Sequence, residues 1–165
     1  MGRASVATPA GAAPLDAIDL RLLDLLQANG RATYAELGVA VGLKPPATLE
    51  RVRSLESQGI ITGYGARVDA GKLGSGLAAF VSCFTTPDAG QAGYDDLIAS
   101  LSAHDEVLEL HSVAGDESYI LKVATRSTAH LDELLTRIKA TPGIARTRTT
   151  VVLSTPFTRE GIVVS

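Results

Sequence analysis

What constrains this chain most is the order in which its hydrophobic period changes between Leu77 and Ser154. Leu77–Thr85, with Phe80, Val81, Cys83 and Phe84, reads as a strand. Tyr94, Leu97, Ile98 and Leu101 then recur at helical spacing over 94–103. Val107–Ala114 and Ser118–Thr125 return to the strand pattern on either side of a Gly115-Asp116-Glu117 turn, which predicts a hairpin. Ser127 is placed to cap a second helix carrying Leu131, Leu134, Leu135 and Ile138. Thr141-Pro142-Gly143 stops it, and Ile144–Ser154 reads as a last strand. The order β-α-β-β-α-β is that of the ferredoxin-like fold, in which both helices cover one face of an antiparallel sheet. The other face needs a cover. A second copy of the chain packed sheet to sheet would supply it, with ligand sites at the seams.

The residues before this unit obey a different rule. Asp16 and Asp19 form a helix start with Leu15 beside it, and Ile18, Leu22, Leu25 and Leu26 continue at helical spacing to Asn29-Gly30. Thr33 and Glu36 make a reciprocal capping box for a short second helix with Leu37 and Val41 on its buried side, and Gly42 marks the turn. Pro45-Pro46 opens a third helix over 45–58, since a missing N–H costs nothing in a first turn, and Gly59 ends it. Residues 60–69 read as an extended connector, giving a linker strand over 61–76, and 1–14 read as a flexible tail. The predicted architecture is α+β. A three-helix domain at 15–60 is joined to a ferredoxin-like domain at 77–155, with a C-terminal tail at 156–165.

On a helical wheel the third helix gathers Leu49, Val52 and Leu55 on one side, with Thr48 and Glu56 at the edges. Ala47, Glu50, Arg51, Ser54 and Ser57 form the other side, with Arg53 on a flank. Two short helices joined by a glycine turn, the second with small residues near its start and a polar outer face, can place that helix in a DNA major groove. Arg51 is then the candidate contact to phosphate or guanine. The same face also suits the solvated outside of a packing module, and Glu50 argues mildly against phosphate.

Charge does not decide the matter. The net charge is -3, with seven basic against seven acidic residues over 15–72 and seven against eleven over 73–165. A DNA reading must therefore rest on local arrangement, and the acidic C-terminal part is expected to serve a different partner. Nor do catalytic patterns come forward. His104, His111 and His130 lack metal-ligand spacing, and Gly63-Tyr64-Gly65 is half of a dinucleotide fingerprint with Val68 where a third glycine belongs. Paired carboxylates such as Asp95-Asp96 and Asp105-Glu106 read as solvated charge, so the sequence argues against an enzyme and against a bound cofactor. No stretch reaches the ~18 apolar residues of a membrane span. Cys83, a lone cysteine in an apolar strand, fits a reducing, cytoplasmic setting.

Asp116 stands out. In a hairpin turn beside Ser118 and Tyr119 it is suited to receive the charged groups of a small zwitterion; it is equally suited to a turn for backbone reasons alone.

Taken together, LDAIDLRLLDLLQANGRATYAELGVAVGL, PPATLERVRSLESQGIITGYGARVD, LHSVAGDESYILKV and TPGIARTRTTVVLS resemble the Lrp/AsnC, or feast/famine, transcriptional regulators over about 15–157. The resemblance implies an N-terminal helix-turn-helix domain and a ferredoxin-like effector (RAM) domain. It also implies dimers that assemble into octamers, operator DNA as partner, and an amino acid as effector bound between subunits. It places Lys44, Ala47, Thr48, Glu50, Arg51 and Ser54 nearest the groove, and Val113, Gly115, Asp116, Glu117, Ser118 and Tyr119 at the effector loop. Two positions depart from the family pattern: Lys44 stands where Ser is usual, and Ser118 where Asp is common. The rival reading is an amino-acid-binding oligomeric module without DNA function.

Overall fold

The computed structural model describes residues 14–86, 91–159 and 161–164, so the tail expected over 1–14 lies outside the described residues except for its last position. The chain divides into two compact units, one running to Arg67 and taking in the residues from Phe157 onward, the other spanning Val68–Pro156.

In the first unit, α1 (Ala17–Ala28), α2 (Tyr34–Val41) and α3 (Pro45–Ser57) start where local chemistry starts them. The Asp16 carboxylate accepts from the amides of Ile18 and Asp19, and the Asp19 carboxylate accepts from the amide of Asp16. Thr33 and Glu36 form the same reciprocal box on α2. Gly42 closes α2 with φ 74°, a left-handed value that a side chain would strain. Lys44 gives α3 no side-chain cap, and Pro45 at its first position pre-sets φ instead. Leu22, Leu37 and Val52 form the core where the three helices meet.

The second unit is β1 (Leu77–Thr85), α4 (Gln91–Ser102), β2 (Val107–Ser112), β3 (Tyr119–Thr125), α5 (Thr128–Lys139) and β4 (Ile144–Val151). The sheet is antiparallel in the order β2-β3-β1-β4. Ala79, Val81 and Cys83 of β1 and Tyr119, Leu121 and Val123 of β3 point to one face. There they bury against Leu97 and Leu101 of α4 and Leu131, Leu134 and Ile138 of α5. This is the ferredoxin-like order expected from the strand and helix periods.

Several boundaries differ from expectation; α4 starts at Gln91 rather than 94. β2 ends at Ser112, whose partner Tyr119 is the first residue of β3, and Val113 N–H closes the intervening loop onto the Ser118 carbonyl at 3.2 Å. β4 ends at Val151 rather than 154, because Val152 N–H bonds to Ala78 O and β1 begins one residue before Ala78. The linker strand expected over 61–76 is not a strand. An extended segment becomes one only with a hydrogen-bonded partner, and here residues 70–74 turn instead, with Lys72 N–H held by the Asp69 carboxylate at 3.2 Å. The C-terminal segment differs too. The backbone N–H and C=O of Ile162 pair with the Gln27 side-chain amide at 2.7 and 3.1 Å, seating the segment on α1.

Candidate functional site

The buried side of α3 is formed by Thr48, Val52 and Leu55, a rotation from the Leu49, Val52 and Leu55 face expected from the wheel, which had Thr48 at its edge. Gly38 causes it. A Cβ there would lie 2.5 Å from the Leu43 carbonyl oxygen and 3.0 Å from Thr48 Oγ1, so α2 and the start of α3 meet nearly backbone to backbone. Thr48 fits into this contact, fully buried, its hydroxyl donating to Lys44 O at 3.2 Å. Its expected place at the groove is therefore corrected: it packs α3 against α2.

Arg51 is engaged within its own unit. Its Nη1 donates to Asp16 Oδ2 and to Asp19 Oδ1, each at 2.8 Å, so the guanidinium lies over the first turn of α1. The Asp19 amide, and after it Arg51, hold the Asp16 carboxyl below its ordinary range, and the two carboxylates raise Arg51 further. Lys44, Glu50 and Ser54 are exposed and Ala47 is half-buried. Arg53, expected on a flank, is the exposed arginine of this helix. On the wheel Arg51 and Arg53 lie about 100° to either side of Val52, so only the burial of Thr48, on the side of Arg51, decides that Arg53 is the one turned further out.

At the other candidate site Gly115 and Asp116 are exposed, and Asp116 makes no side-chain hydrogen bond or ion pair with the described residues. Val113 is half-buried at the start of the loop. Glu117 folds over the outer sheet face, accepting from Arg148 at 2.7 Å and from Ser82 Oγ at 3.3 Å, and its carboxyl is held low by its own backbone amide and by Arg148. Ser118 is pinned to β1: its N–H bonds to Cys83 O at 2.9 Å and its hydroxyl lies 2.7 Å from that of Thr85. Tyr119 is a correction. Its ring belongs to the core beneath the helices, and burial raises its hydroxyl's pKa. The structure thus gathers Val113, Gly115, Asp116, Glu117 and Ser118 and leaves the Tyr119 ring out.

The outer face of the sheet, away from α4 and α5, carries half-exposed Phe80, Ile120 and a band of ion pairs. Lys122 and His111 both meet Glu109, at 2.7 and 3.0 Å. Arg146 stacks over Phe84 at 3.5 Å. The other histidines are structural. His130 Nδ1 accepts from the Arg126 amide while Nε2 meets Glu106 at 2.7 Å, and His104 lies beside Arg137. No helix among the described residues is long and apolar enough to cross a membrane.

Two family models account for both units: an AsnC-type helix-turn-helix domain matches residues 15–56, and an Lrp/AsnC ligand binding domain matches 78–162. The chain belongs to the Lrp/AsnC family of transcriptional regulators. It is similar to the HTH-type transcriptional regulator LrpA of Mycobacterium tuberculosis, 45% identical over 141 residues that cover 86% of this chain and 91% of that protein. The leucine-responsive regulatory protein of Haemophilus influenzae is 38% identical, with 84% of each chain covered. Among solved structures, a feast or famine regulatory protein from M. tuberculosis complexed with L-methionine superposes with a TM-score of 0.82 at 40% identity, covering 90% of this chain and 98% of that one. E. coli AsnC superposes at 0.80 with 32% identity, covering 88% and 96%. As an Lrp/AsnC regulator, the chain carries its DNA-binding helix-turn-helix in the first unit and its ligand-binding domain in the second.

Proposed function

We propose that this regulator binds operator DNA through the exposed face of α3 and that an amino acid, bound at the 113–118 loop between neighbouring ligand-binding domains, shifts its affinity or assembly. The single observation carrying the DNA half is that α3 turns a polar, small-residue face to solvent while Thr48, Val52 and Leu55 anchor it. On this reading Lys44 and Arg53 neutralise phosphates, and Ala47, Glu50 and Ser54 lie nearest the bases. The functional domains are 15–60 and 77–155. The dimer forms across the outer sheet face, which pairs half-exposed apolar residues with a band of charge, and dimers assemble further, to an octamer. The protein works in the cytoplasm without a cofactor.

The effector half is supported by the open loop, whose exposed Asp116 is free to meet an ammonium group, and by relatives whose structures hold L-methionine. A ligand changes DNA binding only to the extent that it prefers one assembly or conformation over another. The test joins two measurements on the full chain. Fluorescence anisotropy on DNA from the protein's own upstream region should show selective binding over random sequence. A thermal-shift screen of the common amino acids should show a selective rise in melting temperature that is lost in Asp116→Ala. Ligand binding without DNA binding would instead establish an effector-binding oligomer. DNA binding without any amino-acid shift would remove the loop from the role assigned to it.

A further inference from the structure

We infer that Arg51 is a positioning residue for operator recognition, a clasp that holds α3 at its working angle to α1, and that it makes no phosphate or base contact itself. The inference rests on the DNA-binding reading above and concerns how the reading helix is aimed. Its carrying observation is that each clasp carboxylate divides its work. Asp16 gives Oδ1 to the amides of Ile18 and Asp19, at 2.8 and 2.9 Å, and Oδ2 to Arg51. Asp19 gives Oδ2 to the Asp16 amide at 3.1 Å and Oδ1 to Arg51. One network therefore starts α1 and ties it to the middle of α3, more than thirty residues away in sequence.

Electrostatics holds the guanidinium there. The N-terminus of a helix is the positive end of its dipole and repels a cation, so Arg51 rests at this place because two carboxylates bracket it. Moving it to a phosphate would leave Asp16 and Asp19 facing each other unneutralised and close to the DNA's own charge. The Asp19 side chain is only 15% exposed, which makes that loss costlier than at an open surface. Arg53, two positions on, is exposed. Among the described residues no carboxylate pairs with it as Asp16 and Asp19 pair with Arg51.

The test separates aiming from touching through salt and through isosteric substitution. A residue that neutralises a phosphate contributes about 0.9 to the slope of log K against log salt, whereas a residue acting through helix position contributes nothing to it. Operator binding by the full-length protein is measured by anisotropy over a salt series for the wild type, Arg51→Ala, Arg51→Lys, Arg53→Ala and Asp16→Asn/Asp19→Asn. The asparagines keep the oxygen that caps α1 and remove the charge that meets Arg51. Circular dichroism melts ensure that each variant is assayed below its own transition.

Arg51→Ala is expected to weaken binding about tenfold with an unchanged slope, the scale of one charge-assisted contact. The double asparagine variant should weaken it similarly, and combining the two should add little, since both break one interaction. Arg51→Lys should restore part of the loss. Arg53→Ala should lower the slope by about one. A slope reduced by about one in Arg51→Ala, or tighter binding in Asp16→Asn/Asp19→Asn as the arginine is released to DNA, would overturn the inference. So would unchanged binding in Arg51→Ala. Absence of selective binding in the wild type would instead overturn the DNA reading beneath it.

Discussion

Gly38→Ala sets two physical effects against each other. Gly38 sits inside α2, where replacing glycine by alanine should stabilise by ~1 kcal/mol through helix propensity. The added Cβ, however, would lie 2.5 Å from the Leu43 carbonyl oxygen, where a comfortable contact needs roughly 3.4 Å. The obstacle is backbone, so no rotamer change relieves it. Leu43 also cannot retreat freely: its N–H bonds to Gly38 O at 2.8 Å, and the next residue's carbonyl accepts the buried Thr48 hydroxyl at 3.2 Å. Overpacking of this kind costs ~1–3 kcal/mol and sits at the upper end when backbone must move. The net expectation is a loss of about 1–2 kcal/mol, or roughly 5–15 °C in melting temperature for a unit this small. Circular dichroism melts of the full chain, followed at the helical signal, measure it, with Gly65→Ala as control because an added Cβ there meets nothing within 4 Å. A Gly38→Ala protein as stable as the wild type, or more so, would refute the close-approach argument and with it the reason given for the rotation of α3.

The remaining predictions test other parts of the molecule. Arg137, and after it Glu106's own backbone amide and His130, hold the Glu106 carboxyl down at about 2 against its ordinary 4.5, so Glu106 contributes stability in full above pH 4.5 that is lost as pH falls toward 2. Glu106→Gln should therefore melt lower at neutral pH and show a shallower fall across that window; an unchanged acid profile would count against the cluster. Burial pushes the Cys83 thiol up to about 11, so a thiol-specific disulfide reagent at about pH 8 should label it only after denaturant is added, and rapid native labelling would contradict its core position. Removing residues 157–165 strips the segment whose Ile162 and Val164 line a cleft of about 250 Å³ with Leu23, Leu26, Ile60 and Ile61. The truncated chain should lose stability in its helical unit, and Gln27→Ala should lose about 1 kcal/mol for its paired hydrogen bonds; an unaltered melt in both would show that the segment contributes nothing.

Much of this molecule is legible because its signals are local. The Asp16 and Thr33 boxes need only the three residues that follow them, and the left-handed turn at Gly42 needs only a missing side chain. Alternation over β3 and the three-and-four spacing of α5 state which side of each element is apolar, and the order of those elements leaves few topologies open. What tertiary structure alone decided is where each pattern is aimed. A helical wheel has no origin until something outside the helix presses on it, and the bare backbone at Gly38 turns α3 so that Thr48 goes in, Arg53 goes out, and Arg51 falls within reach of Asp16 and Asp19. The linker failed as a strand for the same reason, since a strand is defined by a partner that no stretch of its own residues specifies. Sequence determined which elements form, because caps and periods are short-range; structure decided which side chains meet, because an ion pair such as Arg51 with α1 depends on distances the chain reaches only after it has packed.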